Sequence, residues 1–158
     1  MEIKIFSKIE EVPPEWGELA NDVFLSAKYL RAKEKSMPEN YQTFYVVLWD
    51  EGKIQAKSVC QVLSFDLSQV SEKKWISKSF MQKIKFTAFS FGNMMLTGSH
   101  AAVFANTVAE HYFYKHLDQI ADLIEKHAGI KRNITLIKDF NLQEKKANSG
   151  IFASVFKY

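Results

Sequence analysis

The sequence has little cysteine, glycine or proline and no long apolar run. Its single cysteine, Cys60, excludes an intramolecular disulfide. With 6 glycines and 3 prolines in 158 residues, no segment resembles a flexible linker or a low-complexity tract. No apolar run approaches the ~20 residues that a membrane-spanning helix needs, and residues 1–6 lack the apolar segment of a signal peptide. The sequence therefore predicts a cytoplasmic protein without a membrane span.

Charge of one sign is scarce as well. The chain carries 21 basic and 18 acidic residues, so its net charge is only +3. A nucleic-acid-binding domain normally presents a basic stripe, and the lysines of residues 72–85 are better explained as a solvated surface. The 47% hydrophobic and 14% aromatic content instead predicts a well-packed core. We expect one domain over residues 1–158 and no nucleic-acid partner.

Local patterns in the first half predict a strand, two short helices and a hairpin. Residues 3–6 form the strand, and Pro13–Pro14 begins a helix because proline is favoured in a first helical turn. That helix would bury residues at helical spacing: Trp16, Leu19, Ala20 and Val23. Ser26 is the predicted N-cap of a second helix, which ends before Met37–Pro38.

The predicted hairpin pairs residues 44–49 with a return strand across the turn 50–53, where Gly52 suits a positive φ. Apolar and small residues of the return strand alternate with polar ones. The predicted inward set is Ile54, Ala56, Ser58, Cys60 and Val62, and the predicted outward set is Gln55, Lys57 and Gln61. A third strand follows at residues 84–91.

The second half predicts one long helix between strands. The helix spans residues 107–128, with a Thr-x-x-Glu capping box at Thr107 and Glu110 and a stop at Gly129. Its apolar stripe contains Phe113, Leu117, Ile120, Ile124 and Ala128. A strand at 134–137, a weak helix at 141–149 and a last strand at 151–156 complete the order. Hairpins followed by a crossover helix predict an α/β (α+β) fold, with a mixed, mostly antiparallel sheet and helices on both faces.

A glycine-marked loop between the third strand and the long helix is the most informative segment. The strand ends in Gly92-Asn93, an apolar triplet follows, and the loop Thr97-Gly98-Ser99-His100 precedes the helix. Helix N-termini present unpaired N–H groups and partial positive charge, and glycines let an anion approach. The loop therefore predicts a phosphate site. Equally open is the alternative that any strand-to-helix connection needs small residues.

Three stretches resemble one family. They are Phe24-Leu25-Ser26-x-x-Tyr29-Leu30, Gly92-Asn93-Met94-Met95-Leu96-Thr97-Gly98-Ser99-His100, and Ile137-Lys138-Asp139-Phe140. Together with the element order, they resemble the acyl-CoA N-acyltransferase (GNAT) superfamily, in particular a poorly characterised bacterial branch related to two-domain aminoacyltransferases of cell-wall precursors. The resemblance implies an acyl-CoA donor, an amine acceptor, and pairing with a second like domain or a homodimer. It also leaves open that the chain is the N-terminal half of a longer protein.

Two departures limit what the resemblance implies. The superfamily's pyrophosphate motif, Arg/Gln-x-x-Gly-x-Gly/Ala, is absent, and its nearest equivalent is the loop 97–101. Ala101 stands where a glycine is expected after the histidine, which narrows backbone freedom. The cofactor-binding residues implied for acyl-CoA are Asn93, Thr97, Gly98, Ser99, His100 and Ala101.

No catalytic residue can be assigned from the sequence. His100 is either a general base or a loop residue that fixes backbone, and Asn93 either contacts ligand or occupies a positive-φ turn position. Glu34 either faces a cleft or is solvated between two lysines. The helical His111 and His116 are five apart, so no metal pair is predicted, and Tyr112 and Tyr114 are expected to pack.

Two functions remain. One is an acyltransferase-type domain that transfers an acyl group from acyl-CoA, or a related donor, to an amine. The other is a non-catalytic binding or interaction domain with the same fold, in which an apolar edge at residues 151–156 pairs with another chain.

Overall fold

The computed structural model describes residues 1–19, 22–66, 85–94 and 101–138. The predicted helix at 141–149 and the predicted strand at 151–156 lie outside these residues. The strands are β1 (Glu2–Phe6), β2 (Tyr41–Asp50), β3 (Lys53–Asp66), β4 (Lys85–Phe91), β5 (Ala102–Phe104) and β6 (Ile134–Ile137). The helices are α1 (Ala27–Ser36), α2 (Thr107–Lys115) and α3 (Leu117–Ala128), with short 3₁₀ helices at Ile9–Glu11, Pro14–Gly17 and Val23–Leu25.

In the described residues these strands form one sheet with the order β1-β2-β3-β4-β6. The first four are antiparallel neighbours, and β6 lies parallel to β4 after the α2–α3 crossover. The short β5 lies antiparallel to β3, next to the segment of β3 that β4 does not reach. A mixed, mostly antiparallel sheet that ends in a crossover was the sequence expectation, and it is confirmed.

The β2–β3 hairpin forms where the pattern predicts it. Glu51 (φ 47°) and Gly52 (φ 79°) both take left-handed conformations, and Asp50 pairs with Lys53. A two-residue turn of this kind has a twist that matches the twist of the flanking strands. It sets the register that runs to the Tyr41–Leu63 pair, with one irregularity beside Leu48.

Cores lie on both faces of the sheet, which confirms the prediction of helices on both sides. On the α3 face, α2 and α3 pack against the sheet through Phe113, Tyr114, Leu117, Ile120, Ala121 and Ile124. On the α1 face, the packing residues are Ile9, Trp16, Leu25 and Leu30. The expectation that alternate β3 residues face solvent is therefore wrong for Lys57 and Gln61, which are fully buried under the α1 face.

The helix predicted from Pro13 is shorter than its spacing suggested. Pro14–Gly17 is a single 3₁₀ turn, and Val23 begins a second turn and is 65% exposed. The indole N–H of Trp16 donates to the Leu25 carbonyl (2.7 Å), which joins the two turns. Ser26 caps α1 as predicted, because its hydroxyl accepts the Tyr29 N–H.

The predicted helix 107–128 is divided at His116, whose φ of −106° and ψ of 18° leave the helical region. The His116 ring Nδ1 lies 2.8 Å from the Tyr112 carbonyl, which also accepts the His116 backbone N–H. The His116 N–H is shared with the Phe113 carbonyl at 3.2 Å, which marks a tightened last turn of α2, and the apolar stripe continues on α3. Among the described residues no helix is both long and apolar enough to cross a bilayer.

The N-cap lies one residue before the predicted one, and with Ala109 at the third helical position the predicted capping box does not form. Asn106, not Thr107, is the N-cap of α2: its backbone is extended, and its side chain accepts the Ala109 N–H at 2.9 Å. Asparagine is among the most favoured residues at this position, because its short side chain reaches the third N–H of the helix.

Replacing Asn106 with alanine should lower the free energy of unfolding by about 1 kcal/mol, since one helix N–H loses its acceptor. Thr107→Ala is the matched control on the neighbouring residue and should cost less. Urea denaturation of both variants checks the order. A larger loss for Thr107→Ala would return the cap to the position that the sequence predicted.

Candidate functional site

The carboxyl ends of β4 and β6 lie side by side. The last residues of the two parallel strands, Phe91 and Ile137, are paired, and the Lys138 N–H donates to the Phe91 carbonyl at 3.0 Å. In sheets with parallel strands, ligands bind beyond the carboxyl ends, where connections diverge and leave a crevice. Residues 92–94 and Lys138 lie at this edge and are therefore candidates for a ligand-binding site.

The loop after β4 leaves the sheet and returns to it at one residue, Val59. The Val59 carbonyl accepts the Gly92 N–H (2.9 Å), and the Val59 N–H donates to the Ala101 carbonyl (3.4 Å). The Ser58 hydroxyl also donates to Ala101, at 2.8 Å. Gly92 has a φ of 112°, a conformation that other residues rarely adopt, which explains the glycine at the exit.

Two side chains hold the base of this loop. The Lys138 ammonium donates to the Asn93 and Met94 carbonyls, at 3.2 and 3.3 Å. The Gln61 Oε1 atom accepts the Met94 N–H at 2.6 Å. The sequence indicated neither role, because Gln61 lies on the polar side of an alternating strand and Lys138 follows a short one.

Further buried polar groups surround the base. Gln61 pairs across the strands with Ser90, and both are fully buried. The Gln61 Nε2 and the Ser90 Oγ make no hydrogen bond in the part of the chain that the structure describes. This patch of the α1 face is therefore polar although it is buried.

Asn93 is 4% exposed, and its Nδ2 lies 3.5 Å from the Tyr29 hydroxyl on α1. Among the described residues other than glycine, only Glu51 has a positive φ. The interpretation of Asn93 as a positive-φ turn residue is therefore wrong, because Gly92 takes that conformation. Its buried amide is instead part of the polar surface at the loop base.

The sequence suggested that the loop opens directly into the helix, and the structure shows that it does not. The strand β5 intervenes, and the Ala105 N–H donates to the Gln55 carbonyl at 2.8 Å just before α2 begins. Val59 lies four positions after Gln55 on β3, which corresponds to about 13 Å. The partial positive charge of the α2 N-terminus acts only near the first turn, so it does not stabilise an anion at the loop base.

The structure describes two of the six residues predicted to bind cofactor. Asn93 lies at the loop base, and Ala101 is where the loop rejoins β3. Ala101 does not have a positive φ, so its backbone suits alanine. Thr97, Gly98, Ser99 and His100 lie outside the described residues, and their role stays a prediction.

Three further candidates, Cys60, Tyr112 and Tyr114, are packed or hydrogen-bonded within the fold. Cys60 is fully buried, and burial raises the pKa of its thiol, which opposes a nucleophilic role. Tyr114 packs in the core of the α3 face, and the Tyr112 hydroxyl donates to the Met1 carbonyl at 3.1 Å. No group of three or more His, Cys, Asp or Glu side chains forms a metal site within the described ranges.

Glu34 faces a cleft, contrary to the favoured interpretation of a solvated surface charge. Its Oε1 atom accepts the Ile9 N–H (2.9 Å) and the Tyr45 hydroxyl (2.7 Å). Burial and this hydrogen bond raise the pKa of Tyr45, so the tyrosine remains a donor. The adjacent Lys33 is buried as well, and burial lowers its pKa to about 8.

Comparison with known proteins gives one structural likeness. No protein-family model and no curated protein matches the chain. A solved structure, glucosamine-6-phosphate N-acetyltransferase from Arabidopsis thaliana, is similar with a TM-score of 0.44 and 13% sequence identity. The alignment covers 100% of this chain and 95% of that chain.

Proposed function

We propose that the chain is an acyltransferase-type domain that binds acyl-CoA, or a related donor, and transfers its acyl group to an amine. The observation that carries the proposal is the polar loop base beyond the paired carboxyl ends of β4 and β6. It brings together Gln61 of β3, Asn93 and Met94 of the loop after β4, and Lys138, which directly follows β6. The resemblance of the sequence motifs to the N-acyltransferase superfamily supplies the reaction class.

In the proposed reaction an unprotonated amine attacks the thioester carbonyl, the C–N bond forms, and the C–S bond breaks. The thiolate leaves and takes up the proton that the amine nitrogen loses. A hydrogen-bond donor aimed at the carbonyl oxygen stabilises the negative charge that develops on it. The Gly92 N–H is committed to the sheet through Val59. Among the described residues the Met94 N–H is bonded to the Gln61 side chain and not to a sheet carbonyl, and Met94 is the backbone donor that we assign to the thioester oxygen.

Calorimetric titration with acetyl-CoA and longer acyl-CoAs tests the donor. Lys138→Met should weaken acyl-CoA binding by about tenfold, because the Asn93 and Met94 carbonyls lose a charged donor and the loop base loosens. The control is Lys131→Met, which removes the same charge from an exposed side chain.

Equal affinities for the two variants would show that Lys138 contributes only general attraction to a polyanion. If the wild type binds no acyl-CoA at millimolar concentration, acyl-CoA is not its donor and the proposed function is wrong.

A non-catalytic interaction domain is the second candidate. Within the described residues β6 is the last strand of the sheet, and Ile134 and Leu136 are 41% and 38% exposed. Exposed apolar residues on an edge strand are typical of a pairing surface. The predicted pairing edge at 151–156 lies outside the described residues. Light scattering over a concentration range tests the candidate, and a monomer at every concentration counts against it.

A further inference from the structure

A cleft of about 540 Å³ lies at the start of β2, on the opposite side of this strand from β3 and the loop base. The last pair of β1 with β2 is Phe6 with Tyr45, so residues 41–44 of β2 extend past the end of β1. This overhang is the floor of the cleft. One wall comes from the C-terminal part of α1 and the other from the end of α3. Its size is in the range of small-molecule sites.

The cleft contains a fixed carboxylate. Both hydrogen bonds to Glu34, from Ile9 and Tyr45, go to its Oε1 atom. Within the described part of the chain, its Oε2 atom makes no hydrogen bond or ion pair. Lys8 is on the same rim, but its exposed side chain forms no ion pair with Glu34. Among the described residues, one carboxylate oxygen is thus oriented by two donors and the other has no partner.

The rest of the lining is mixed: Ser7, Tyr41, Gln42 and Thr43 are polar, and one part is apolar. Met37, Phe44 and Ala128 line the cleft, and the His127 ring stands edge-on to Phe44 at a centroid distance of 6.0 Å. A surface of this kind suits methylene groups. A free carboxylate oxygen accepts hydrogen bonds only, so it selects a donor, and an ammonium adds the charge complement.

We propose that this cleft binds a primary ammonium group on an aliphatic stem, such as a diamine or a lysine side chain. The ammonium donates to the Glu34 Oε2 atom, and the stem packs on Met37. The cleft and the loop base are neighbours, because Thr43 on the cleft floor pairs with Gln61, but they have different lining residues. The proposal concerns ammonium binding alone and therefore does not depend on acyl-CoA binding.

Titration with cadaverine, followed by NMR and calorimetry, tests the site. Cadaverine should shift the Met37 methyl and His127 ring signals of the wild type, and pentanol, its neutral analogue, should bind far more weakly. Glu34→Gln keeps the shape and the Oε1 acceptor but removes the charge. It should weaken cadaverine binding by about tenfold to a hundredfold. Glu18→Gln removes the same charge from an exposed residue and should bind like the wild type.

The proposal is overturned if cadaverine produces no shift at Met37 and His127 at tens of millimolar. Equal affinity of Glu34→Gln and the wild type also overturns it. If Glu34→Gln does not fold, the comparison of cadaverine with pentanol on the wild type decides, because equal binding of the two excludes a role for the carboxylate. Loss of acyl-CoA binding elsewhere would leave these results unchanged.

Discussion

Replacing Phe113 with alanine is expected to lower the free energy of unfolding by about 3–5 kcal/mol, the usual cost of removing a buried phenyl ring. Phe113 is 2% exposed and connects three elements. Its ring centroid lies 6.2 Å from that of Phe91 at the end of β4 and 5.5 Å from that of Phe104 on β5. Truncation would leave a cavity where the crossover packs against the sheet.

The exposed His111 on the same helix provides the control, since His111→Ala should change stability by no more than about 0.5 kcal/mol. Urea denaturation at one temperature compares the two variants. A loss below about 1 kcal/mol for Phe113→Ala would mean that the site collapses to fill the space, and that α2 contributes little to the core.

Local signals predicted the hairpin and the two-sided sheet well. The hairpin depends on neighbouring residues: an alternating pattern and a glycine at the turn, with Gly52 at φ 79°. The apolar stripe of the crossover was also predictable, because Leu117, Ile120 and Ile124 recur at helical spacing and are all buried. Residues close in sequence determine these features.

Features that depend on distant residues were not predictable. The strand β5 has only three residues, too few to show a period, and it exists because β3 extends past β4. Gln61 was placed on a solvent face by alternation, although the α1 face is covered by elements from elsewhere in the chain. The Lys138 contacts join residues more than forty positions apart.

The expected source of positive charge at the candidate site was wrong for the same reason: it depends on distant residues. From the sequence, an anion at the loop would rely on the helix N-terminus, but β5 carries α2 away, and Asn106 already accepts the Ala109 N–H. At the loop base, the positive charge near Asn93 and Met94 therefore comes from Lys138 and not from the helix N-terminus. For residues 97–101, we propose that the loop's own amides hold the anion.

Gly98→Val is accordingly expected to abolish acyl-CoA binding. Gly98 lies outside the described residues, and its role is predicted from the sequence: a phosphate can approach loop amides closely only where no side chain intervenes. The fold should survive, because the core residues of the sheet and of α3 are remote in sequence from the change. A positive φ at Gly98 would add a stability cost of roughly 1–2 kcal/mol.

Thermal melting and acyl-CoA titration on one sample separate these effects. Gly17→Val is the matched control, because a Cβ atom at Gly17 meets no atom within 4 Å, so the same side chain should leave binding unchanged. Lost affinity with a normal melting temperature supports a phosphate cradle in the loop. A Gly98→Val protein that melts normally and binds acyl-CoA with wild-type affinity would exclude residues 97–101 as the anion site, and the donor would then have to be held by the loop base at Asn93, Met94 and Lys138 alone.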